Sequence, residues 1–206
     1  SNDGITWAIG SGLKGSVTSV TFANGRFVAV GGNGLIWHSS NGISWQKASG
    51  LKGSAKFNHV IFAAGKFVAV ADSSTSWYST DGVSWYCGQG LSGSANFNAV
   101  VFADGKFVTV GQYSTSWYSY DGINWSCGQG LSGRAAFFDV LYAKGRFVTC
   151  ANISTSWYSN DGINWSCGQG LDGEPNNVDY NNIIFVNDIF VMSENTGNVS
   201  YNNNSY

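Results

Sequence analysis

The chain is short of charge. Asp, Glu, Lys and Arg make up 11% of its 206 residues, the formal net charge is -2, and the ten basic residues are scattered. No basic stripe is available to neutralise phosphates, so nucleic acid is not an expected partner. No apolar run approaches the ~18 residues of a membrane helix, so no membrane insertion is expected. Proline occurs once, at Pro175, against 28 glycines and 16% aromatic residues. That composition is neither that of a disordered chain nor that of a coiled coil. Histidine occurs twice, at His38 and His59. No Ser-His-Asp set and no metal-ligand cluster can be assembled with credible spacing, so no cofactor, metal or catalytic residue is assigned. The given chain starts at Ser rather than Met and shows no signal peptide, a start also consistent with a processed leader. Cytoplasmic, virion and cell-surface locations all fit.

Cysteine is sparse, with four residues. Cys87, Cys127 and Cys167 recur at one position of successive repeats, and symmetry would hold such sites beyond the ~7 Å Cα limit for a disulfide. Cys150 stands elsewhere and can pair with one of them at most. Buried free thiols are the expectation, which leans towards a reducing compartment or a prokaryotic or viral source. The acceptor-like tripeptides Asn124-Trp125-Ser126 and Asn164-Trp165-Ser166 fall inside predicted strands and are read as chance.

What is abundant is repetition. Ser79-Thr80-Asp81-Gly82-Val83-Ser84-Trp85 recurs from Ser119 and from Ser159, more loosely from Ser39, and the chain opens on a further copy from Ser1. The serines at 1, 39, 79, 119 and 159 give steps of 38, 40, 40 and 40 residues. A period of ~40 points to a repeat architecture. Within one unit, Asn98–Ala103 and Lys106–Val110 are apolar runs joined by Asp104-Gly105, a strong hairpin signal because a type I′ turn needs positive φ at both central residues. Asn24-Gly25, Ala64-Gly65, Lys144-Gly145 and Asn187-Asp188 take the same place. Thr115–Ser119 reads as a third strand, Asp121-Gly122 as a second turn, and Ile123–Cys127 as a fourth strand.

Each unit is therefore a four-stranded antiparallel meander. Its first two strands are apolar on both faces, so both faces must be buried. Meanders packed face to face around an axis meet that demand, which predicts an all-β, five-bladed β-propeller in one domain. The blades fall at about 17–48, 57–88, 97–128, 137–168, and 178–203 plus 1–10. In this scheme Ile5–Ile9 is the fourth strand of the last blade and closes the ring, removing the sheet edges.

The Ser-x-Asp-Gly-x-x-Trp element resembles a shortened Asp-box, the repeat of sialidase-type propellers, and Phe107-Val108-Thr109-Val110-Gly111 resembles strands of the same repeat proteins. The five-bladed architecture is similar to the tachylectin-type lectins, without a shared ligand motif. The resemblance implies a propeller in which the Asp-box is a structural turn away from the functional face. It implies no activity, and the sialidase arginine triad has no counterpart in Arg26, Arg134 and Arg146. The first-strand column (Ser19, His59, Ala99, Asp139) does not supply the repeated carboxylates of five-bladed glycosidases. The chain is expected not to be an enzyme.

The remaining candidates lie opposite the Asp-box turns. Loops between strands two and three contribute Asp72, Gln112, Tyr113 and Asn152, and blade-to-blade linkers contribute Gln89, Gln129 and Gln169, with Asn58 and Asn98 downstream. Trp77, Trp117 and Trp157 read as core residues or as stacking platforms. Uncharged amides and hydroxyls beside aromatics suit hydroxyl-rich neutral ligands. The expected function is that of a lectin-like propeller with several weak, similar sites that gain by avidity on glycans or glycoproteins. The alternative is a protein-interaction or structural propeller of a larger virion or cell-surface assembly.

Overall fold

In the computed structural model, residues 1, 3–152, 155–169, 178–195 and 199–201 are described. They form five antiparallel sheets. The first contains β1 (Val17–Ala23), β2 (Arg26–Gly31), β3 (Leu35–Ser39) and β4 (Gln46–Lys47). The second contains β5 (Phe57–Ala63), β6 (Lys66–Ala71), β7 (Thr75–Ser79) and β8 (Tyr86–Cys87). The third contains β9 (Phe97–Ala103), β10 (Lys106–Gly111), β11 (Thr115–Ser119) and β12 (Ser126–Cys127). The fourth contains β13 (Phe137–Ala143), β14 (Arg146–Ala151), β15 (Ser156–Ser159) and β16 (Ser166–Cys167). The fifth contains β17 (Tyr180–Val186), β18 (Ile189–Glu194) and β19 (Val199–Tyr201). Strands one to four lie side by side in chain order in each four-stranded sheet, as a meander requires. The first strands contact one another in series, β1 to β5 to β9 to β13 to β17, and so sit innermost.

The hairpin turns follow from backbone sterics. Asp104 and Gly105 adopt φ of 49° and 71°, the type I′ pair. Ala64 and Lys144 are held in the same left-handed region, at 48° and 49°, although each carries a Cβ. The second turn is organised by its acid. Asp121 Oδ1 accepts from the N–H groups of Ile123 and Asn124 at 2.8 and 2.7 Å, and Ser119 Oγ accepts from Gly122 N–H at 2.8 Å. These amides therefore cannot enter the ladder with β11. The fourth strand is correspondingly two residues long, not five, and only Trp117↔Cys127 and Tyr118↔Ser126 are paired.

The core lies between blades. Val68 and Val70 of the second blade pack against Phe97, Val100, Phe107, Trp117 and Trp125 of the third. The same arrangement joins the first to the second blade and the third to the fourth. Each buried Phe or Trp contributes roughly 1.5–3 kcal/mol relative to exposure. Across the interface, Thr18 Oγ1 donates to Phe57 O, Asn58 Nδ2 to Phe97 O and Asn98 Nδ2 to Phe137 O, at 2.7, 2.8 and 2.7 Å. At each of these three junctions a side chain thus ties a blade to its successor.

Two expectations are corrected. Residues 5–9 form no strand and do not pair with β19; Trp7 is 77% and Ile9 100% exposed. The segment leads instead into the outer side of the first blade, where Ser11 N–H donates to Ile43 O and Trp45 N–H to Ser11 O, at 2.8 and 2.9 Å. No contact comparable to the serial ones joins β17 to β1, so among the described residues the five blades form an open arc. The second correction concerns thiols. All four cysteines are free, but Cys87, Cys127 and Cys167 are exposed and only Cys150 is buried. The three exposed thiols lie on the outermost strand of their blades, where no further strand covers them.

Candidate binding face

Each blade has two ends. The type I′ and Ser-x-Asp-Gly turns occupy one, and the loops from strand two to three and the linkers between blades occupy the other. At this loop end the polar groups are largely tied to each other. Asp72 N–H donates to Lys56 O, Gln112 N–H to Asn96 O and Asn152 N–H to Ala136 O, at 2.9, 3.0 and 3.1 Å. Asn58 Nδ2 also donates to Asp72 Oδ1 at 2.8 Å, and Ala136 N–H donates to Asn152 Oδ1 at 2.8 Å. Asn58, Asn98, Asp72 and Asn152 are therefore bonded within the scaffold. The tryptophan column is covered as well. Trp77, Trp117 and Trp157 are 7, 9 and 8% exposed, and Trp77 and Trp157 meet Phe57 and Phe137 edge to face. Their rings are part of the core, and Trp157 also lines a groove between the fourth and fifth blades.

The exposed candidates are different. Tyr113 sits at φ 60° in its loop and is 59% exposed. Gln89 and Gln129 engage the next blade through their backbones: Gln89 N–H donates to Ile123 O at 2.7 Å and Trp125 N–H to Gln89 O at 2.9 Å, with the same pair around Gln129. Ser11 and Ser49 form the same bridges, so the bond needs no particular side chain. The side chains of Gln89, Gln129 and Gln169 are exposed. Gln112 is half-buried between its loop and the linker. Lys14, Lys52, Lys56 and Arg134 are exposed on the linkers of the same face. The insertion around Pro175 lies outside the described residues.

A second constellation lines the axis, where every first strand carries a bulge. The side chains just after the bulge reach across to the next blade in three of the strands. Ser19 Oγ accepts from Val60 N–H, His59 Nδ1 from Val100 N–H and Asp139 Oδ2 from Ile183 N–H, at 3.3, 3.2 and 3.2 Å. Asp139 Oδ1 accepts from Val140 N–H at 2.8 Å. Burial pushes the His59 imidazole below its ordinary range, opposed by the Asp139 charge. Burial pushes the Asp139 carboxyl up, opposed by its two backbone bonds and by His59. Burial, and then the Asp139 charge, push the Cys150 thiol up to about 12. The polar members of this column, Ser19, His59 and Asp139, were legible in the sequence; their inter-blade bonding was not, because a bulge leaves no signature in composition. Among the described residues no group of His, Cys, Asp or Glu could hold a metal ion. Nor, among the described residues, is any helix long and apolar enough to cross a membrane.

No family model matches the chain, and no curated protein matches it. Solved structures do. The WD40 propeller domain of Doa1 superposes with a TM-score of 0.71 at 16% identity, covering 94% of this chain and 67% of that one. The fold is that of a β-propeller. The computationally designed Ika8 protein matches at 0.69 and 15% identity, covering 93% and 59%. YCF48 bound to D1 peptide matches at 0.68 and 18% identity, covering 91% and 65%. The five blades thus span about three-fifths to two-thirds of the length of these propellers.

Proposed function

We propose that the chain is a non-catalytic interaction propeller that takes a protein partner on its loop face. The observation that carries this reading is the state of that face. Its small polar groups are consumed in loop-to-linker bonds, which builds a rigid platform, while Tyr113, the glutamines and four cations remain outward. A preorganised surface with an aromatic anchor and adaptable amides suits a peptide or protein segment. YCF48, a propeller of similar fold, is bound to D1 peptide. The cations Lys14, Lys52, Lys56 and Arg134 favour a segment of neutral to acidic character. A non-enzymatic role agrees with the axis, where His59 Nδ1 and both Asp139 oxygens are already engaged by backbone amides.

A second reading, glycan binding, is favoured by one observation: the Gln89, Gln129 and Gln169 junctions are near copies, as weak multivalent sites would be. The Asp-box resemblance is neutral between the two, since those turns lie at the opposite end of the blades. Selection of peptides on the immobilised propeller, followed by titration calorimetry, tests the first reading. Tyr113→Ala is expected to weaken a selected acidic peptide by about tenfold, near the 1.4 kcal/mol that factor represents, and added salt to weaken it further. Retention on a glycan array, lost in Gln129→Ala with unchanged melting, would transfer the assignment to glycans.

A further inference from the structure

Both histidines sit at junctions of the second blade, and both act there as hydrogen-bond acceptors. In four first strands the amide two residues past the bulge finds a side-chain acceptor. Val60 N–H donates to Ser19 Oγ, Val100 N–H to His59 Nδ1, Val140 N–H to Asp139 Oδ1 and Ile183 N–H to Asp139 Oδ2. A backbone amide only donates, so His59 Nδ1 carries no proton and the neutral ring holds its proton on Nε2. The bond to Val100 exists only for that form of the ring.

His38 occupies the junction on the other side. Arg26 Nη1 lies 3.1 Å from His38 Nδ1, and a guanidinium has no acceptor, so this Nδ1 is bare as well. The second blade rests on the pair: an added Cβ on Gly82, in the turn of that blade, would lie 2.8 Å from the Arg26 side chain. Elsewhere the repeats fill both positions with groups that do not titrate near neutrality. Ser19 stands where His59 does, and Tyr78, Tyr118 and Tyr158 stand where His38 does, with Arg146 over the Tyr158 ring at 5.7 Å.

The surroundings do not favour a charged ring. Of the strands packed on β5, β1 and β9 carry no charged side chain. On β2 and β6, Arg26 and Lys66 lie at the hairpin end, whereas His59 pairs with Val70. The Asp139 charge favours imidazolium at His59, but burial outweighs it. His38 meets Arg26 of β2, lies opposite Gln46 of β4 with Lys47 beside it, and feels Asp81 of the second-blade turn. Burial and then the Arg26 charge hold it below its ordinary range against Asp81.

We propose that the two histidines make the second blade an acid-sensitive element. Protonation at His59 turns the Val100 bond into a contact between two donors, and protonation at His38 does the same against Arg26, so the hold of this blade on both neighbours weakens below about pH 6.5. The sign follows from linkage. A ring kept neutral by the fold contributes fully above its unfolded value and loses that contribution as pH falls towards the folded one, by up to about tenfold in the folding equilibrium per pH unit for each ring.

A long-range nitrogen NMR spectrum of the full chain at about pH 7 reads the tautomers directly. Both rings are expected neutral with the proton on Nε2, and a proton on Nδ1 of either overturns the proposal. Urea titrations at about pH 7 and about pH 5 then compare the parent with His38→Tyr/His59→Ser, which copies the groups of the other repeats. The parent is expected to lose stability over this interval and the variant to keep its own midpoint. Each protein is referred to itself, so a variant that is weaker at the start remains informative. Asp139, whose carboxyl burial pushes up, is common to both. A parent indifferent to pH, or a variant with the same dependence, overturns the proposal. Hydrogen exchange, corrected for the intrinsic rate, locates the effect: amides of β5 and β6 are expected to lose more protection on acidification than those of β10 and β14, and an equal loss throughout overturns it.

Discussion

At the residue scale, the tight inter-blade contacts decide which glycines can change. Gly105 and Gly122 have nearly the same φ, 71° and 70°, but Gly105 faces open space while Gly122 faces Val68 and Phe107. Gly105→Ala is expected to lose only the left-handed penalty, about 1–2 kcal/mol. Gly122→Ala adds the overpacking term, a further ~1–3 kcal/mol, and urea titration of the two variants separates the contributions. The turn acids give a pH signature. At Asp121 and Asp161 partial burial opposes ionisation, but hydrogen bonds from the backbone and side chain of Asn124 or Asn164 outweigh it and hold the carboxyls below the usual range. A depressed folded pKa stabilises above the unfolded value near 4 and is lost as pH falls through the folded value. Asn41 already replaces the acid in the first repeat with the same two amide bonds, each at 2.9 Å. Asp121→Asn/Asp161→Asn is therefore expected to melt close to the parent at pH 7 and to flatten the loss of stability below about pH 4.

At the element scale, the amino-terminal segment is the place where sequence and structure part. Were Ile5–Ile9 the closing strand of a composite blade, deletion of the first ten residues would expose a sheet edge. In the open arc, residues 3–9 bond chiefly within their own turn, so removing residues 1–9 should shift the melting temperature of dilute protein little, as calorimetry would read. The interior elements were legible because local and long-range signals agree. Asp104-Gly105 between two apolar runs specifies a hairpin, and the 40-residue period repeats it with the same register. Closure was not legible, since no local motif encodes the angle between blades. The candidate face was half legible. Residue type and loop position identified Gln89, Gln129 and Tyr113 as outward, but Asn58 and Asn98 look like ligand amides in sequence and are inter-blade ties in space. The tryptophans at 77, 117 and 157 alternate like surface residues of a strand, yet the neighbouring blade covers them.

At the scale of the whole molecule, stability is a series of blade-to-blade contacts, each repeated with little change. Among the described residues the second, third and fourth blades have neighbours on both sides, and the first and fifth on one. Hydrogen exchange on dilute protein should therefore be graded, with amides of β10 slowest and those of β2 and β18 faster; uniform protection would show a single cooperative unit. Under tension the same geometry acts as a line of fasteners instead of a vault. Among the described residues no contact comparable to the serial ones joins the last blade to the first, so when the chain is pulled by its two ends the blades should let go singly from the ends inward. Each release frees a repeat of about 40 residues, roughly 130–145 Å of extended chain, and that spacing is the interval expected between successive drops in a force-extension trace.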